Sequence, residues 1–197
     1  DAIKLTPSHI TLLEDLDLQT SHIATAIVGG EALLPEQVSL LHGLNPRMRV
    51  ENEYGPTEAT VGCIVQRVAV GSDQIHIGKP INNTTVYILD SALQPVPVGV
   101  KGEICIAGSG VASGYFEREA LTHEKFIHYP VDVDSAERVK LYKTGDLGCW
   151  LEDGTIHLFG RLDDQVKIRG HRIELGEIEA CISSYDKVAN AVVQYRK

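Results

Sequence analysis

The sequence predicts an α/β protein in three parts: an alternating α/β sheet portion, a small antiparallel β-barrel-like part, and the beginning of a small α+β subdomain. Three observations predict this class. Apolar strand-like runs alternate with helical patterns over residues 1–72, short β-rich segments punctuated by Gly and Pro fill 73–162, and a charged β stretch with a short helix fills 163–197. Alternating strands and helices are typical of a parallel sheet, whereas closely spaced short strands indicate antiparallel pairing.

The first part contains two predicted helices and two predicted strands. Pro7 and Pro35 can each occupy the first turn of a helix, and Gly43 can end the second one. Residues 25–28 and 48–50 are short apolar strands. Loops that follow parallel strands are the usual place for a ligand, so residues after 28 and 50 are candidates for a site.

The other two parts are predicted from short segments and one turn signal. Residues 85–89, 103–107 and 155–159 have strand character. Asp153-Gly154 predicts a hairpin with a type I′ turn. Helical periodicity over residues 175–182 is followed by a predicted strand over residues 188–195.

Composition narrows the class of partner. The chain has 197 residues and a formal net charge of −9, which argues against nucleic acid or an anionic membrane as a partner. No apolar run approaches the roughly 18 residues of a membrane span, and no signal peptide is recognisable at the N-terminus. The four cysteines form no CxxC pair, so we predict reduced, mostly buried thiols and a cytoplasmic protein.

Four motifs follow one another along the chain. They are VGGEAL at residues 28–33, NEYGPTEAT at 52–60, YKTGDL at 142–147 and GRLDDQVKIRGHRIELGEIE at 160–179, with GEICIAGSGVASGY at 102–115 between the second and third. NEYGPTEAT places aromatic, hydroxyl and carboxylate side chains in a loop between two strands, where rigid scaffolds usually hold functional groups.

In this order and at these spacings, the motifs resemble those of the adenylation domains of nonribosomal peptide synthetases, which belong to the acyl-adenylate-forming superfamily. The resemblance runs from Leu5 onward. It implies the C-terminal portion of the large subdomain, comprising the sheet part and the β-rich part, and the start of the small, mobile subdomain.

The resemblance implies a reaction with two half-steps. ATP, with Mg²⁺, activates an amino acid as aminoacyl-AMP, and the aminoacyl group then passes to the phosphopantetheine thiol of a carrier protein that works with neighbouring synthetase modules. The protein must align two anions and stabilise charge at phosphorus. The phosphate-binding loop and the catalytic lysine of the family have no counterpart in residues 1–197, so we expect this chain alone to be inactive.

NEYGPTEAT supplies most of the nucleotide contacts that the resemblance implies. Tyr54 is expected to flank the adenine and Asn52 to contact its edge. Gly55 shapes the turn near the phosphates. Thr57 offers its hydroxyl to the α-phosphate, and Glu58 is the expected Mg²⁺ ligand, so these two residues are the catalytic candidates.

Three further segments complete the implied nucleotide site. A second adenine wall consists of Gly29, Gly30, Glu31 and Ala32. Asp146 is expected to accept hydrogen bonds from the ribose hydroxyls, and Arg161 to reach the ribose or the phosphates. Asp163 matches the hinge between the two subdomains, and residues 167–173 match the loop that faces the site in the second half-step.

The resemblance also implies a pocket for the amino-acid side chain, formed by Lys4, Ile27, Gly29, Glu53, Val61 and Gly62. This pattern is similar to the asparagine-selecting pattern of the family, with Ile27 where Leu is usual. The chemistry agrees, because Lys4 can donate to a carboxamide oxygen while Glu53 accepts from its NH₂. Glutamine and aspartate are the next candidates, and Lys4 and Glu53 could instead simply neutralise each other.

Two other interpretations are compatible with the sequence. One is an acyl- or aryl-CoA ligase of the same superfamily. The other is a non-catalytic interaction module, which is supported by the lack of two catalytic elements within residues 1–197.

Overall fold

The structure, a computed structural model, describes residues 1–16, 18–131 and 137–196. Within these ranges the chain forms three β-sheets and four α-helices. The mixed α/β class predicted from the sequence is therefore confirmed. The predicted boundaries at residues 72 and 162 stay a prediction.

The first sheet has five strands in the order β1-β2-β3-β4-β5. Strands β1, β2 and β3 are parallel, and β4 and β5 join in antiparallel pairs. The strands are β1 (Ala2–Leu5), β2 (Thr25–Gly29), β3 (Arg49–Tyr54), β4 (Ile64–Val68) and β5 (Lys79–Pro80). Helices α1 (Pro7–Leu12) and α2 (Pro35–Leu44) connect the parallel strands and begin at the two predicted prolines.

The two faces of this sheet have different roles. On one face, Ala26, Val28 and Val50 pack with Ile10 of α1 and Val38 of α2 into a core from which water is excluded. Because side chains alternate along a strand, the residues between them point to the other face. That face carries Lys4, Ile27 and Glu53.

The second sheet is antiparallel, with the order β10-β9-β7-β6 and with β8 also paired to β9. Its strands are β6 (Thr84–Leu89), β7 (Gly102–Gly108), β8 (Phe126–Pro130), β9 (Arg138–Trp150) and β10 (Ile156–Arg161), and helix α3 (Glu119–Lys125) leads into β8. Strand β9 pairs with β8 near its start and with β10 near its end, so these two strands lie one after the other beside it.

The predicted barrel-like closure of this part is not found. A closed barrel needs every strand paired on both edges. Among the described residues β6 and β10 lie at opposite ends of the strand order and do not pair with each other, so the sheet is open. The length of β9 explains the difference, because its 13 residues receive β8 and β10 along one strand instead of around a circle.

The predicted hairpin between β9 and β10 forms, but its turn is not type I′. Gly154 has φ +75°, whereas Asp153 is not in the left-handed region. The Asp153 carboxylate accepts hydrogen bonds from the Thr155 amide at 2.9 Å and from its hydroxyl at 2.7 Å. This local bond competes with the turn that the Asp-Gly pair alone favours.

The third part contains a short hairpin and a helix. Strands β11 (Val166–Ile168) and β12 (His171–Ile173) are joined by Arg169 and Gly170, whose φ values of +51° and +78° are typical of a type I′ turn. Helix α4 (Leu175–Ser183) follows. The strand predicted over residues 188–195 is wrong, because that segment has no regular structure and no described strand pairs with it.

Two compositional predictions can be compared with the fold. Cys63, Cys105 and Cys149 are buried, Cys181 is exposed, and all four are free thiols, as predicted. Within the described residues no helix combines the length and the apolar character needed to span a bilayer.

Candidate functional site

A cavity of about 440 Å³, here called the main cavity, lies where the first sheet, the second sheet and the β11–β12 hairpin meet. It is lined by residues from all four motifs and by Leu158 and Tyr195: Gly30, Glu31, Ala32, Tyr54, Gly55, Asp146, Leu158, Gly160, Arg161, Asp163, Gln165, Val166, Lys167 and Tyr195. A neighbouring side cavity of about 150 Å³ shares several of these residues and adds Thr57, Val61 and Arg172. The size of the main cavity falls within the roughly 300–1,000 Å³ typical of small-molecule sites.

Asp146 on β9 is the charged centre of the main cavity. It is only 6% exposed, it accepts the hydroxyl of Tyr54 on Oδ2, and it accepts Nη1 of Arg161 on Oδ1 at 2.8 Å. Strand register places Arg161 directly opposite Asp146. The Arg161 guanidinium also donates to both Asp163 oxygens, at 2.6 and 2.8 Å. A buried carboxylate with a cationic partner is held in one orientation, which suits it to bind hydroxyl groups.

Proton positions around this centre follow from burial and charge. Burial, together with the nearby Asp146 charge, raises the pKa of Tyr54, so its hydroxyl stays a donor at neutral pH. A hydrogen bond from Arg161 lowers the pKa of Asp163, more than its burial raises it. Position 145, beside this ion pair, favours glycine. Its φ is +74°, and a Cβ there would lie 2.9 Å from Nη2 of Arg161.

Glu58 lies in a short 3₁₀ helix, Thr57–Ala59, and is 7% exposed. Its Oε1 accepts the Tyr115 hydroxyl at 2.6 Å and Nη1 of Arg172 at 2.7 Å. Its Oε2 is buried with no hydrogen-bond partner. Burial raises the pKa of Glu58, but hydrogen bonds from Tyr115 and the charge of Arg172 lower it by more, so the carboxylate is ionised.

The unpaired oxygen of Glu58 fits a hard cation. An ionised oxygen without a donor is unusual in a buried position and is what Mg²⁺ accepts as a ligand. Among the described residues no group of three His, Cys, Asp or Glu side chains could hold a metal by itself. A Mg²⁺ ion at Glu58 would therefore need oxygens from a bound phosphate as further ligands.

The loop around Glu58 is held in a strained conformation. Thr60 and Val61 have φ values of 60° and 67°, in a region that β-branched residues avoid. The loop at 109–115 supports this conformation, because Gly110 accepts the Thr60 hydroxyl at 2.7 Å and the Ala112 amide donates to the Glu58 carbonyl at 2.8 Å. GEICIAGSGVASGY thus contributes a support for the NEYGPTEAT loop.

The VGGEAL segment forms one wall of the main cavity and contacts the hairpin. Gly30, Glu31 and Ala32 line the cavity, whereas Gly29 lies behind them, where a Cβ would be 2.6 Å from the Glu53 carbonyl oxygen. The Glu31 carboxylate accepts the Ser8 hydroxyl at 2.5 Å and the Gly170 amide at 2.9 Å. The hairpin is therefore docked on this wall.

Asn52, like Gly29, is a predicted nucleotide residue that does not line the main cavity. It is buried, and its amide donates to the His76 carbonyl at 2.8 Å. It is not among the residues that line either cavity. Its expected contact with the adenine edge stays a prediction.

Lys4, Ile27 and Glu53, which are predicted to form the side-chain pocket, lie on the face of the first sheet opposite α1 and α2. Lys4 is paired with Ile27, and Gly29 with Glu53, in the strand register. Nζ of Lys4 is 2.5 Å from Oε2 of Glu53, which is the neutralising pair that the sequence left open. A Cβ on Gly62 would lie 2.1 Å from the other Glu53 oxygen, and Val61 borders the side cavity.

The sequence did not single out three residues that the structure places at the site. Tyr115 contacts Glu58, Arg172 contacts the same carboxylate, and Lys167 lies with Nζ 5.9 Å from the centre of the Tyr54 ring. Burial lowers the pKa of Lys167. Lys167 and Arg172 belong to the segment expected to face the site, but no local signal pairs Tyr115 with Glu58, because 57 residues separate them.

Comparison with known proteins identifies the family. The model of the family described as "AMP-binding enzyme" matches residues 2–116. The chain is 47% identical over 201 residues to tyrocidine synthase 3 of Brevibacillus parabrevis, and 43% identical over 197 residues to bacitracin synthase 1 of Bacillus licheniformis. These matches cover 99% and 96% of this chain but 3% and 4% of the relatives, so the chain spans a small share of their length.

Solved structures agree with the sequence relatives. A nonribosomal peptide synthetase protein containing adenylation and PCP domains superposes with a TM-score of 0.88 at 31% identity, over 100% of this chain and 40% of that one. An artificially fused adenylation–PCP di-domain from Klebsiella oxytoca gives a TM-score of 0.80 at 26% identity, over 100% of this chain and 37% of that one. The chain belongs to the AMP-binding enzyme family, and within it to the adenylation domains of nonribosomal peptide synthetases.

Proposed function

We propose that this chain carries the adenosine-binding wall and the side-chain pocket of an adenylation domain that converts ATP and an amino acid, preferably asparagine, into aminoacyl-AMP and pyrophosphate. The observation that carries the proposal is the convergence of Tyr54, Asp146 and Arg161 on one cavity, although they come from three separated motifs. The aminoacyl group then passes to the phosphopantetheine thiol of a carrier protein, in line with the adenylation–PCP proteins among the structural neighbours.

The main cavity suits a nucleoside. Gly30 and Ala32 leave one wall flat, and the Tyr54 ring and Leu158 supply apolar surface for a base. Asp146 keeps acceptor capacity beyond its bonds to Tyr54 and Arg161, because each carboxylate oxygen has two lone pairs. That capacity suits the two ribose hydroxyls. The hinge candidate Asp163 accepts a hydrogen bond from Arg161, so it would lie near the ribose as well.

Thr57 and Glu58 are the candidates for the phosphate end. Thr57 borders the side cavity, and Glu58 Oε2 has no hydrogen-bond partner. Mg²⁺ bound there would neutralise developing charge on the phosphate oxygens. The chain's own contributions are to fix the ribose through Asp146, to orient Glu58 through Tyr115, and to hold the loop that presents the Thr57 hydroxyl.

Asparagine fits between Lys4 and Glu53. Lys4 has a side chain that is 53% exposed and can swing aside, whereas Glu53 is 15% exposed and is confined by Gly29 and Gly62. A carboxamide entering the pair would accept from Lys4 and donate to Glu53. An aspartate side chain would face the Glu53 charge, which disfavours it.

A pyrophosphate-exchange assay on a complete adenylation domain carrying this sequence tests the proposal. We expect asparagine to be preferred to aspartate by up to about 10⁴-fold, since buried polar groups that are left unpaired reject a wrong ligand. Glu53→Gln should reduce this preference. Glu51→Gln is the matched control, because Glu51 lies two residues away on β3 and pairs with Arg67 at 3.2 Å.

Three results would contradict the proposal at different levels. If Glu53→Gln left the asparagine-to-aspartate ratio unchanged, the assignment of asparagine would be wrong. If exchange occurred with aryl or fatty carboxylic acids and with no amino acid, the domain would be an acyl- or aryl-CoA ligase. A domain without ATP-dependent exchange for any carboxylate would favour a non-catalytic module.

A further inference from the structure

Glu58 is shared between the large part of the chain and the β11–β12 hairpin. Arg172 on β12 places Nη1 2.7 Å from Glu58 Oε1, and its Nε is 3.7 Å from Glu174 on the same segment. The bond to Glu58 joins residues 114 positions apart. It is therefore a contact made by docking of the hairpin and not by local chain geometry.

Arg172 and a metal ion would compete for this carboxylate. The guanidinium occupies Oε1, and Oε2 is shielded from solvent while the hairpin is docked. Mg²⁺ dehydrates reluctantly and keeps several waters, so it needs room beside its ligand. A carboxylate is small, so both cations on it would lie within a few ångströms of each other and repel strongly in a poorly solvated site.

We propose, building on the function proposed above, that Arg172 and Mg²⁺ are alternative occupants of Glu58, so that the hairpin docks only when the metal has left. Arg172 is then a positioning residue that replaces the metal charge on Glu58. Three features hold the docked state: the Arg172–Glu58 pair, the Gly170 amide on Glu31 at 2.9 Å, and Lys167 beside the Tyr54 ring. With Mg²⁺ on Glu58, the first of these contacts would be lost and the other two would remain.

Removal of the competing cation should strengthen metal binding. In a complete adenylation domain carrying this sequence, with a non-hydrolysable ATP analogue at saturation, Mn²⁺ affinity is measured by titration with electron paramagnetic resonance. We expect Arg172→Gln to bind Mn²⁺ at least about fivefold more tightly than the wild type, at the lower end of typical coupling between sites. Arg172→Lys keeps a charge and should lie between the two.

Arg169→Gln is the matched control. Arg169 lies in the turn of the same hairpin, so this variant removes the same charge from the same element without removing the Glu58 contact. If Mn²⁺ affinity rises equally in Arg169→Gln and Arg172→Gln, general electrostatics explains the effect and the proposal is overturned. An unchanged or weaker affinity in folded Arg172→Gln overturns it as well.

Hydrogen exchange supplies a readout independent of activity. In the wild type, Mn²⁺ with the analogue should accelerate amide exchange over residues 166–173, whereas in Arg172→Gln exchange there should already be fast without metal. If wild-type exchange over this segment does not respond to metal, the hairpin and the metal are not antagonistic. Failure of the proposed function looks different, because a wild-type domain that binds neither the analogue nor Mn²⁺ would contradict the nucleotide site itself.

Discussion

At the scale of single residues, Tyr115 shows how a neutral hydroxyl can prepare a metal ligand. Its OH donates to Glu58 Oε1 at 2.6 Å, which leaves Oε2 as the free oxygen. Burial raises the pKa of Tyr115 far above its usual range, so the hydroxyl remains a donor throughout the neutral range. Donors of this kind orient a metal ligand without touching the metal.

We predict that Tyr115→Phe weakens the binding of Mn²⁺ with an ATP analogue about tenfold, since outer-shell partners typically contribute 10–100-fold to metal affinity. The ring and its contact with Phe126 are retained, so the melting temperature should change little. Tyr87→Phe is the control, because that ring packs on Tyr129 and not on Glu58. Equal Mn²⁺ affinities for the two variants would show that Tyr115 does not orient Glu58.

The sequence motifs predict the residues that line the main cavity better than they predict the residues that hold those side chains in place. Tyr54, Asp146 and Arg161 carry recognisable chemistry within short motifs, and all three line the main cavity. The bond between Tyr115 and Glu58 depends on how a loop of the second sheet packs on the first, which no local pattern specifies. The hydrogen bond from Asn52 to the His76 carbonyl likewise joins residues 24 positions apart, so no local pattern announces it.

At the scale of elements, the 55–62 loop depends on a close approach of two backbone segments. A Cβ on Gly55 would lie 1.5 Å from the Val61 carbonyl oxygen, which is far inside van der Waals contact. Val61 cannot easily move, because it is already held at φ 67°. Any side chain at position 55 therefore has to break the loop open.

We predict that Gly55→Ala destabilises the fold by about 3 kcal/mol, at the upper end of typical overpacking costs. Gly43→Ala is an opposite-sign control, because a Cβ at this helical position meets nothing within 4 Å. It should stabilise the fold by about 0.5–1 kcal/mol through helix propensity. Urea unfolding of both variants measures the difference, and a Gly55→Ala variant as stable as the wild type would contradict the close approach of the two segments.

Element types were easier to predict than element pairing. Pro7 and Pro35 start helices as expected, because proline fixes the φ of a first turn. Alternating patterns determine which face of a strand is buried but not which strands pair at their edges. That is why the antiparallel character of the second sheet was predicted, whereas its openness was not.

At the scale of the whole molecule, two histidines join the first and second sheets. Nδ1 of His76 lies 3.1 Å from Nδ1 of His157 on β10, and the rings contact each other edge to face. The Ile77 amide donates to the Ile156 carbonyl at 3.1 Å and the Ile156 amide to the Gly78 carbonyl at 2.8 Å, which fixes the same junction. One of the two nitrogens has to be an unprotonated acceptor for this bond to exist.

We predict that stability falls as the pH drops below about 6.5, the pKa of an unperturbed histidine, and that His157 contributes to the fall. Burial lowers the pKa of folded His157, and the nearby His76 adds to this. The unfolded state then binds protons first, so stability is present above that pH and is lost below it. His157→Gln should flatten the melting temperature between pH 7 and 5 relative to the wild type, whereas His123→Gln on α3 should not; identical profiles for both would refute the role of the junction.

Strand β3 places neighbouring residues on opposite faces, with Glu53 on the side of Lys4 and Tyr54 beside Asp146. Position 53 can therefore change to suit another amino acid while Tyr54 keeps its place beside Asp146. A single residue inserted earlier in this strand would turn both side chains to the opposite face of the sheet. The amino-acid preference of such a domain can therefore change by substitution in this strand, but not by insertion.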